Sequence, residues 1–241
     1  MNANSDVEAE RVPLSRLRRR IGDNMVRSLA ISPHVTVSVD VDYGRLAELR
    51  SVCGESWRAE HSYSLTYLPF VARAVCEGLA THRDLNASID GTDLIRHRGI
   101  QLGVAVDLAR SGLVVPVVRD AGVLDLTGLA IAIHALHTAA AERRLSPDDV
   151  AGGTFTISSP GRRGADRSTP IIHQPQLAIL AIDAIRDRPV VAAGAIVARP
   201  VGALSLSFDH RAVDGVYATE FLSELRDAIE SETRGPGAAD E

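Results

Sequence analysis

Polar and apolar positions alternate most regularly in residues 33–42, where valine occupies every second position from Val35 to Val41. A period of two places alternate side chains on opposite faces of a strand, so this segment predicts a half-buried strand. Further apolar segments predict the remaining strands at 85–89, 99–106, 112–118, 152–158, 176–185 and 203–208.

Five other segments repeat apolar residues at the spacing of an amphipathic helix. They span residues 11–25, 43–53, 64–82, 126–144 and 217–229. The first has Leu17, Ile21 and Met25 four residues apart, preceded by Ser15 as a candidate N-cap. Strands interspersed with helices predict an α/β fold.

The segments 99–106 and 112–118 flank a short polar turn at residues 109–111, which predicts a hairpin. Pro116 lies within the second segment. Because proline has no N–H for the ladder, this strand is expected at an edge or a bulge.

The composition is that of a folded chain of 241 residues, with 45% hydrophobic residues and a net charge of −5. This charge gives no indication of binding to nucleic acid or to an anionic membrane. The first ten residues are polar and acidic, unlike a signal peptide, and no apolar run is long enough to span a bilayer. Cys53 and Cys76 are isolated, which fits a cytoplasmic protein. We expect residues 1–10 to be a disordered lead, 11–230 one domain, and 231–241 a disordered tail.

All 26 basic residues are arginine, because the sequence contains no lysine. This excludes within the chain a Schiff-base lysine, a phosphate-loop lysine and a lysine to hold a lipoyl or biotin group.

Two segments place candidate reactive groups at strand ends. The strand at 203–208 runs into Asp209-His210-Arg211, and the strand at 152–158 ends in Ser158. Histidine has a pKa suited to general base catalysis near neutral pH. A capping or packing role for His210, and an ordinary turn at Ser158, are the alternatives. His134 and His137 lie three apart on a predicted helix, but the sequence offers no third ligand nearby and predicts no metal site.

These segments match a known pattern. The residues 209–215 read D-H-R-x-x-D-G, 152–158 read G-G-T-F-T-I-S, and 112–117 read G-L-V-V-P-V. Together they resemble the catalytic domain of the acyltransferase components of 2-oxoacid dehydrogenase complexes, which shares its fold with chloramphenicol acetyltransferase. The resemblance covers residues 11–230. It implies a chloramphenicol acetyltransferase-like two-layer α/β sandwich, a mixed sheet packed with helices, and a trimeric active site.

The resemblance also implies roles for four residues. His210 would be the base that deprotonates the acceptor, and Ser158 would donate a hydrogen bond to the tetrahedral oxyanion. Arg18 would pair with Asp214 and support the site. The sequence contains no G-x-S-x-G elbow for a serine nucleophile, which favours direct transfer.

The loop after Ser158 departs from the family pattern. It contains Arg162, Arg163 and Arg167, and His173 stands where asparagine is usual. These four residues are candidate contacts to the acceptor; for the arginines, a solvated surface is the alternative.

The resemblance therefore implies an acyltransferase that moves an acetyl group from acetyl-CoA to the hydroxyl of a small molecule. The stand-alone form resembles the O-acetyltransferases of tetronate natural-product biosynthesis, whose acceptor is a tetronate intermediate. It would be a stand-alone homotrimer with acyl-CoA as co-substrate and no bound cofactor, and an acyl-eliminating partner enzyme would act on its product. One alternative is a dehydrogenase-complex core that uses a lipoyl domain supplied in trans. The other is a non-catalytic scaffold subunit that retains the fold.

Overall fold

The computed structural model describes residues 10–108, 112–161 and 164–237, and in these ranges it contains five α-helices and ten β-strands. The helices are α1 Arg16–Ile31, α2 Gly44–His61, α3 Leu68–Thr81, α4 Leu126–Ala141 and α5 Gly215–Ser231. The strands are β1 His34–Asp42, β2 Ala87–Asp90, β3 Asp93–Arg96, β4 Leu102–Asp107, β5 Leu113–Val114, β6 Val117–Val118, β7 Phe155–Ser158, β8 Ala178–Ile182, β9 Arg186–Ala192 and β10 Ala195–Asp209. Within the described ranges, none of the helices is long and apolar enough to cross a bilayer.

The main sheet is mixed, with the strand order β1-β10-β8-β7-β4-β5. Strand β6 pairs with β4, and β9 pairs with β10. The central pairs β4–β7 and β7–β8 are parallel, whereas β10 runs antiparallel to both β1 and β8. β2 and β3 form a separate two-stranded sheet.

The two faces of the main sheet differ in polarity. Leu180, Leu206 and Phe208 are fully buried on one face, in a core shared with α2, α3, α4 and α5. The other face is rich in hydroxyl groups where β1 and β10 pair, because the intervening residues there include Thr36, Ser38, Ser205 and Ser207. A helical layer on one face of a mixed sheet confirms the predicted two-layer α/β sandwich.

The polar face is covered by the loop 164–176. The Ser168 hydroxyl donates to the Asp183 carboxylate at 2.6 Å, and the Gln174 amide nitrogen lies 2.8 Å from the Ser32 hydroxyl. Ser28 donates to the Ile172 carbonyl at 2.6 Å. These bonds satisfy polar groups that would be costly to bury alone.

The helices follow the predicted periodicity. The Ser15 hydroxyl accepts a hydrogen bond from the Arg18 N–H at 3.2 Å, which confirms the predicted N-cap. Helix α2 runs eight residues beyond its predicted end at Cys53. The added turns bury Trp57, whose ring lies 3.9 Å from that of His61 between centroids.

The predicted strand at 33–42 is β1. The predicted hairpin is confirmed, since both β5 and β6 pair antiparallel with β4. Its turn, residues 109–111, lies outside the described residues. Pro116 separates β5 from β6 and its carbonyl accepts from the Val104 N–H at 2.8 Å, so the proline interrupts the ladder as expected.

The sequence did not predict the long hairpin formed by β9 and the first half of β10. Pro189 and Pro200 lie within these strands and lowered the strand signal. The turn is made by Ala193 and Gly194, which both have a positive φ, at 49° and 80°. Such a pair of left-handed residues matches the twist of a two-residue hairpin.

Residues 232–237 follow α5 and contact the helical layer. Glu232 forms an ion pair with the buried Arg73, and the Gly237 N–H donates to the Thr127 hydroxyl at 3.1 Å. Residues 1–9 and 238–241 lie outside the described residues. The domain bounds 11–230 and the disorder of both ends stay predictions.

Candidate active site

His210 stands on a tight turn between β10 and α5. The Asp209 carbonyl accepts from the N–H groups of Ala212 and Val213 at 3.2 and 3.1 Å, and the His210 N–H donates to the Pro33 carbonyl at 3.0 Å. The backbone is therefore fixed on both sides of the histidine. Its side chain remains exposed in the single chain.

The turn is locked by an ion pair between Asp209 and Arg211. The carboxylate is fully buried and receives the guanidinium at 2.6–3.2 Å and the Arg211 N–H at 3.0 Å. Burial acts to raise the pKa of Asp209, but the hydrogen bonds from Arg211 and from the Ser32 hydroxyl outweigh burial and lower this pKa. The ion pair between the two residues that flank the histidine thus positions it.

Ser158 is the last residue of β7 and lines a cavity of about 1040 Å³. Apolar side chains from β4, α4 and β8 line this cavity together with a few charged groups. The cavity is large enough for a thioester substrate of drug-like size. Ser158 is half-buried, so its hydroxyl lies at the boundary between the sheet and the cavity.

His210 and Ser158 lie at opposite ends of the sheet in one chain. Phe208 pairs with Ala178, whereas Ser158 pairs with Ala181, and β10 runs antiparallel to β7. The strand rise and spacing put the two Cα atoms about 19 Å apart. A base must reach its proton within hydrogen-bonding distance, so one chain cannot bring both side chains to the same substrate atom.

Arg18 and Asp214 lie on different elements. Arg18 is exposed on α1, and Asp214 is the exposed N-cap residue of α5. Across the described parts of the chain, the ion pairs do not join these two side chains. The supporting Arg18–Asp214 pair therefore stays a prediction.

The predicted acceptor contacts are not gathered around Ser158. Arg162 and Arg163 lie outside the described residues. Arg167 forms an exposed ion pair with Asp40 at 2.9 Å. His173 lines a second cavity of about 570 Å³ beside Thr154, at the end of the sheet where His210 lies, and burial lowers its pKa. An acceptor role for these four residues stays a prediction.

Other histidines have packing roles. The His34 ring is held by the Ser32 carbonyl at 2.8 Å and by the Ile172 N–H at 3.0 Å, and the His134 ring stacks on Tyr63 at 3.6 Å. Among the described residues, no group of three or more histidine, cysteine or acidic side chains is arranged to bind a metal ion.

Several residues that line the Ser158 cavity were not predicted from the sequence. They include His137, Arg50 and the buried Asp183. The signal for Asp183 was present in the sequence, because an acid interrupts the apolar run of residues 177–185. His137 was considered only as a metal ligand.

Comparison with known proteins identifies the chain's relatives. Residues 6–234 match the family model of the 2-oxoacid dehydrogenases acyltransferase catalytic domain. A dihydrolipoyllysine-residue succinyltransferase component of the 2-oxoglutarate dehydrogenase complex from Haemophilus influenzae is 38% identical over 225 residues, which cover 93% of this chain and 55% of that protein. The chain thus spans about half the length of the curated relatives that it matches.

Solved structures give the same relationship. The crystal structure of a probable dihydrolipoamide acetyltransferase from Listeria monocytogenes has a TM-score of 0.90 and 34% identity, covering 95% of this chain and 98% of that one. A chloramphenicol acetyltransferase, at 12% identity with a TM-score of 0.57 over 91% of this chain and 99% of its own, shares the fold.

These relatives do not support the predicted acetylation of a tetronate or another small-molecule alcohol. Their names favour the alternative, acyl transfer in a 2-oxoacid dehydrogenase complex. With the family model matched over residues 6–234, the chain belongs to the family of 2-oxoacid dehydrogenase acyltransferases and contains its catalytic domain.

Proposed function

We propose that the chain transfers a short acyl group between coenzyme A and the thiol of a dihydrolipoyl group, which is supplied by another domain or chain. The proposal is supported by the family membership and by the names of the relatives. The absence of lysine from this sequence means that the lipoyl group would not be attached to these 241 residues.

The observation that carries the proposal is the placement of His210 and Ser158 at opposite ends of the sheet. His210 is suited to accept the proton of the acceptor, and Ser158 is suited to donate a hydrogen bond to the oxyanion. The fixed turn presents the imidazole, and the cavity places a hydroxyl beside an apolar space. A second copy of the chain that brings its His210 to this cavity would complete the site. We therefore propose a homotrimer with active sites between subunits.

Exposed apolar side chains on the N-terminal segment support such contacts between copies. Val12, Leu14, Val26 and Leu29 are each more than half exposed, although they are large and apolar. Patches of this kind mark interaction surfaces in folded proteins.

In the proposed reaction, His210 accepts the proton of the acceptor thiol, and the resulting thiolate attacks the carbonyl carbon of the acyl-CoA thioester. The Ser158 hydroxyl donates to the oxyanion that forms. The carbon–sulfur bond to coenzyme A then breaks, and the departing thiolate takes the proton back from the imidazolium. Transfer in the reverse direction uses the same groups.

The proposal is tested by the turnover of acetyl-CoA with dihydrolipoamide, followed as release of free coenzyme A. A hydroxymethyl tetronate serves as a competing acceptor, and His210→Ala is the control. Turnover with dihydrolipoamide that is lost in His210→Ala is the expected result. Turnover with the alcohol alone would favour the small-molecule O-acetyltransferase, and no turnover with either would favour the scaffold subunit.

A further inference from the structure

Asp183 is a buried acid in the wall of the Ser158 cavity. Asp183 comes directly after β8 and is 1% exposed. The other two acids of the cavity wall, Asp107 and Asp187, are exposed. Burial of a carboxylate among apolar residues is costly unless hydrogen bonds compensate for it.

The structure supplies these bonds from two hydroxyl groups. Ser168 donates to one carboxylate oxygen and Ser205 to the other, both at 2.6 Å. The Tyr43 side chain is fully buried nearby, and its hydroxyl lacks a hydrogen-bond partner among the described residues. Burial raises the pKa of Tyr43, and the charge of Asp183 raises it further. The carboxylate is thus fixed in an interior with little water.

Strand register places Asp183 near Ser158. Ser158 pairs with Ala181 in the parallel β7–β8 ladder, and Asp183 is two residues further along, so the two side chains face the same side of the sheet. Their Cα atoms are about 8 Å apart by strand geometry. An acyl group whose carbonyl oxygen accepts from Ser158 would therefore lie within reach of Asp183, which lines the same cavity.

The two arginines of the cavity wall, Arg50 and Arg186, already contact other groups of the protein. The Arg50 guanidinium donates to the Leu65 carbonyl at 2.9 Å and lies 4.1 Å from the Tyr67 ring. Arg186 is exposed and forms an ion pair with Asp166. Within the described residues, the ion pairs do not join either arginine to Asp183.

We infer that Asp183 sets the acyl specificity of the cavity, by excluding acyl groups that end in a carboxylate and admitting short uncharged ones such as acetyl. The inference rests on the proposed function and deepens it. A second carboxylate beside a buried one in a water-poor site is repelled strongly, which corresponds to about 10²-fold weaker use of the charged acyl group. The succinyl group named for the H. influenzae relative has such a carboxylate, so this chain would differ from that protein.

The test compares acetyl-CoA with succinyl-CoA as acyl donors to dihydrolipoamide. The wild type should prefer acetyl-CoA in kcat/KM by about 10²-fold, and Asp183→Asn should reduce this ratio at least about tenfold, because the amide removes the charge but keeps a similar shape. Asp183→Glu retains the charge and should retain the preference.

Asp187→Asn is the matched control, since it removes the same charge from an exposed position of the same cavity wall. Its ratio should stay within about threefold of the wild type, because solvent screens an exposed charge. A ratio near one in the wild type, or an unchanged ratio in folded Asp183→Asn, would overturn the inference while leaving the proposed function intact.

Calorimetric titration of both thioesters in the absence of an acceptor separates the two claims. If dihydrolipoamide is not acylated at all, the proposed function fails, but tighter binding of acetyl-CoA than of succinyl-CoA would still support the role of Asp183. Equal binding of the two thioesters would overturn it.

Discussion

At the residue scale, the position of His210 depends on a buried charge beside it. The Asp209 carboxylate is fully buried, whereas its partner Arg211 is 42% exposed. The pair acts within a single turn, so the loss of either side chain changes the backbone on which the histidine stands. This role differs from that of Ser158, whose hydroxyl faces the cavity.

Replacement of Arg211 by glutamine should destabilise the protein by about 1–3 kcal/mol, because it leaves the buried Asp209 carboxylate without its ion partner. The measurement is the free energy of unfolding in denaturant. Arg226→Gln is the control, since Arg226 forms an exposed ion pair with Asp227 and should cost less than about 0.5 kcal/mol. Equal losses in the two variants would contradict the structural role given to Arg211.

The pH dependence of stability should change in the same variant. Since the folded pKa of Asp209 is lowered, its contribution to stability is present above the unfolded value, about 3.9, and is lost as pH falls through the folded pKa. Without the guanidinium, burial raises this pKa instead. Arg211→Gln should therefore begin to lose stability at a higher pH than the wild type. Parallel curves of unfolding free energy between pH 3 and 6 would argue against this.

Replacement of Ser158 by alanine should lower kcat with dihydrolipoamide by about 10²–10³-fold and change KM little, because the lost hydrogen bond forms mainly in the transition state. The matched control is Ser159→Ala, one residue along the same chain segment. If both variants retained wild-type kcat, Ser158 would not be the oxyanion donor.

At the element scale, the sheet combines an apolar face for the helices with a hydroxyl-rich face. Ser38 pairs with Ser205 at 2.9 Å and Thr36 with Ser207 at 2.7 Å between their hydroxyl oxygens. This ladder continues toward Asp183 and lies under the loop 164–176. The alternation that predicted β1 from the sequence is the same alternation that separates these two faces.

Two glycines should respond in opposite directions to replacement by alanine. Gly194 has a φ of 80° in the β9–β10 turn, so Gly194→Ala should destabilise the protein by about 1 kcal/mol. Gly22 lies exposed within α1 with nothing within 4 Å of an added Cβ, so Gly22→Ala should stabilise it by about 0.5–1 kcal/mol. Thermal denaturation of both variants measures the effects, and shifts of the same sign would contradict the assigned conformations.

The sequence was sufficient to locate the five helices and β1, because these elements have strong local periodicity, but it placed the ends of α1 and α2 six and eight residues too early. It was insufficient for β9 and the first half of β10, where prolines and arginines interrupt the pattern and the pairing itself supplies the strand. His210 and Ser158 were found from local motifs. Their separation within one chain was implied only by the family resemblance, with its trimeric active site, because it follows from the register between β7, β8 and β10, which no local segment encodes.

At the scale of the whole molecule, the two proposed half-sites of the single chain lie about 19 Å apart. The Ser158 cavity lies at one end of the sheet, and the His210 turn lies at the other. In a cyclic trimer, each chain would pair its His210 with one neighbour and its Ser158 cavity with the other, so that every half-site is used. Light scattering should then give a mass about three times the 25.7 kDa of one chain.

The most direct test of this account is complementation between two inactive variants, His210→Ala and Ser158→Ala, produced together with different affinity tags. Each variant alone should be inactive toward acetyl-CoA and dihydrolipoamide. Trimers that carry both tags should recover about a third of wild-type turnover, because each mixed trimer joins an intact histidine to an intact serine at one of its three interfaces. Co-assembled trimers without recovered turnover would contradict an active site shared between subunits.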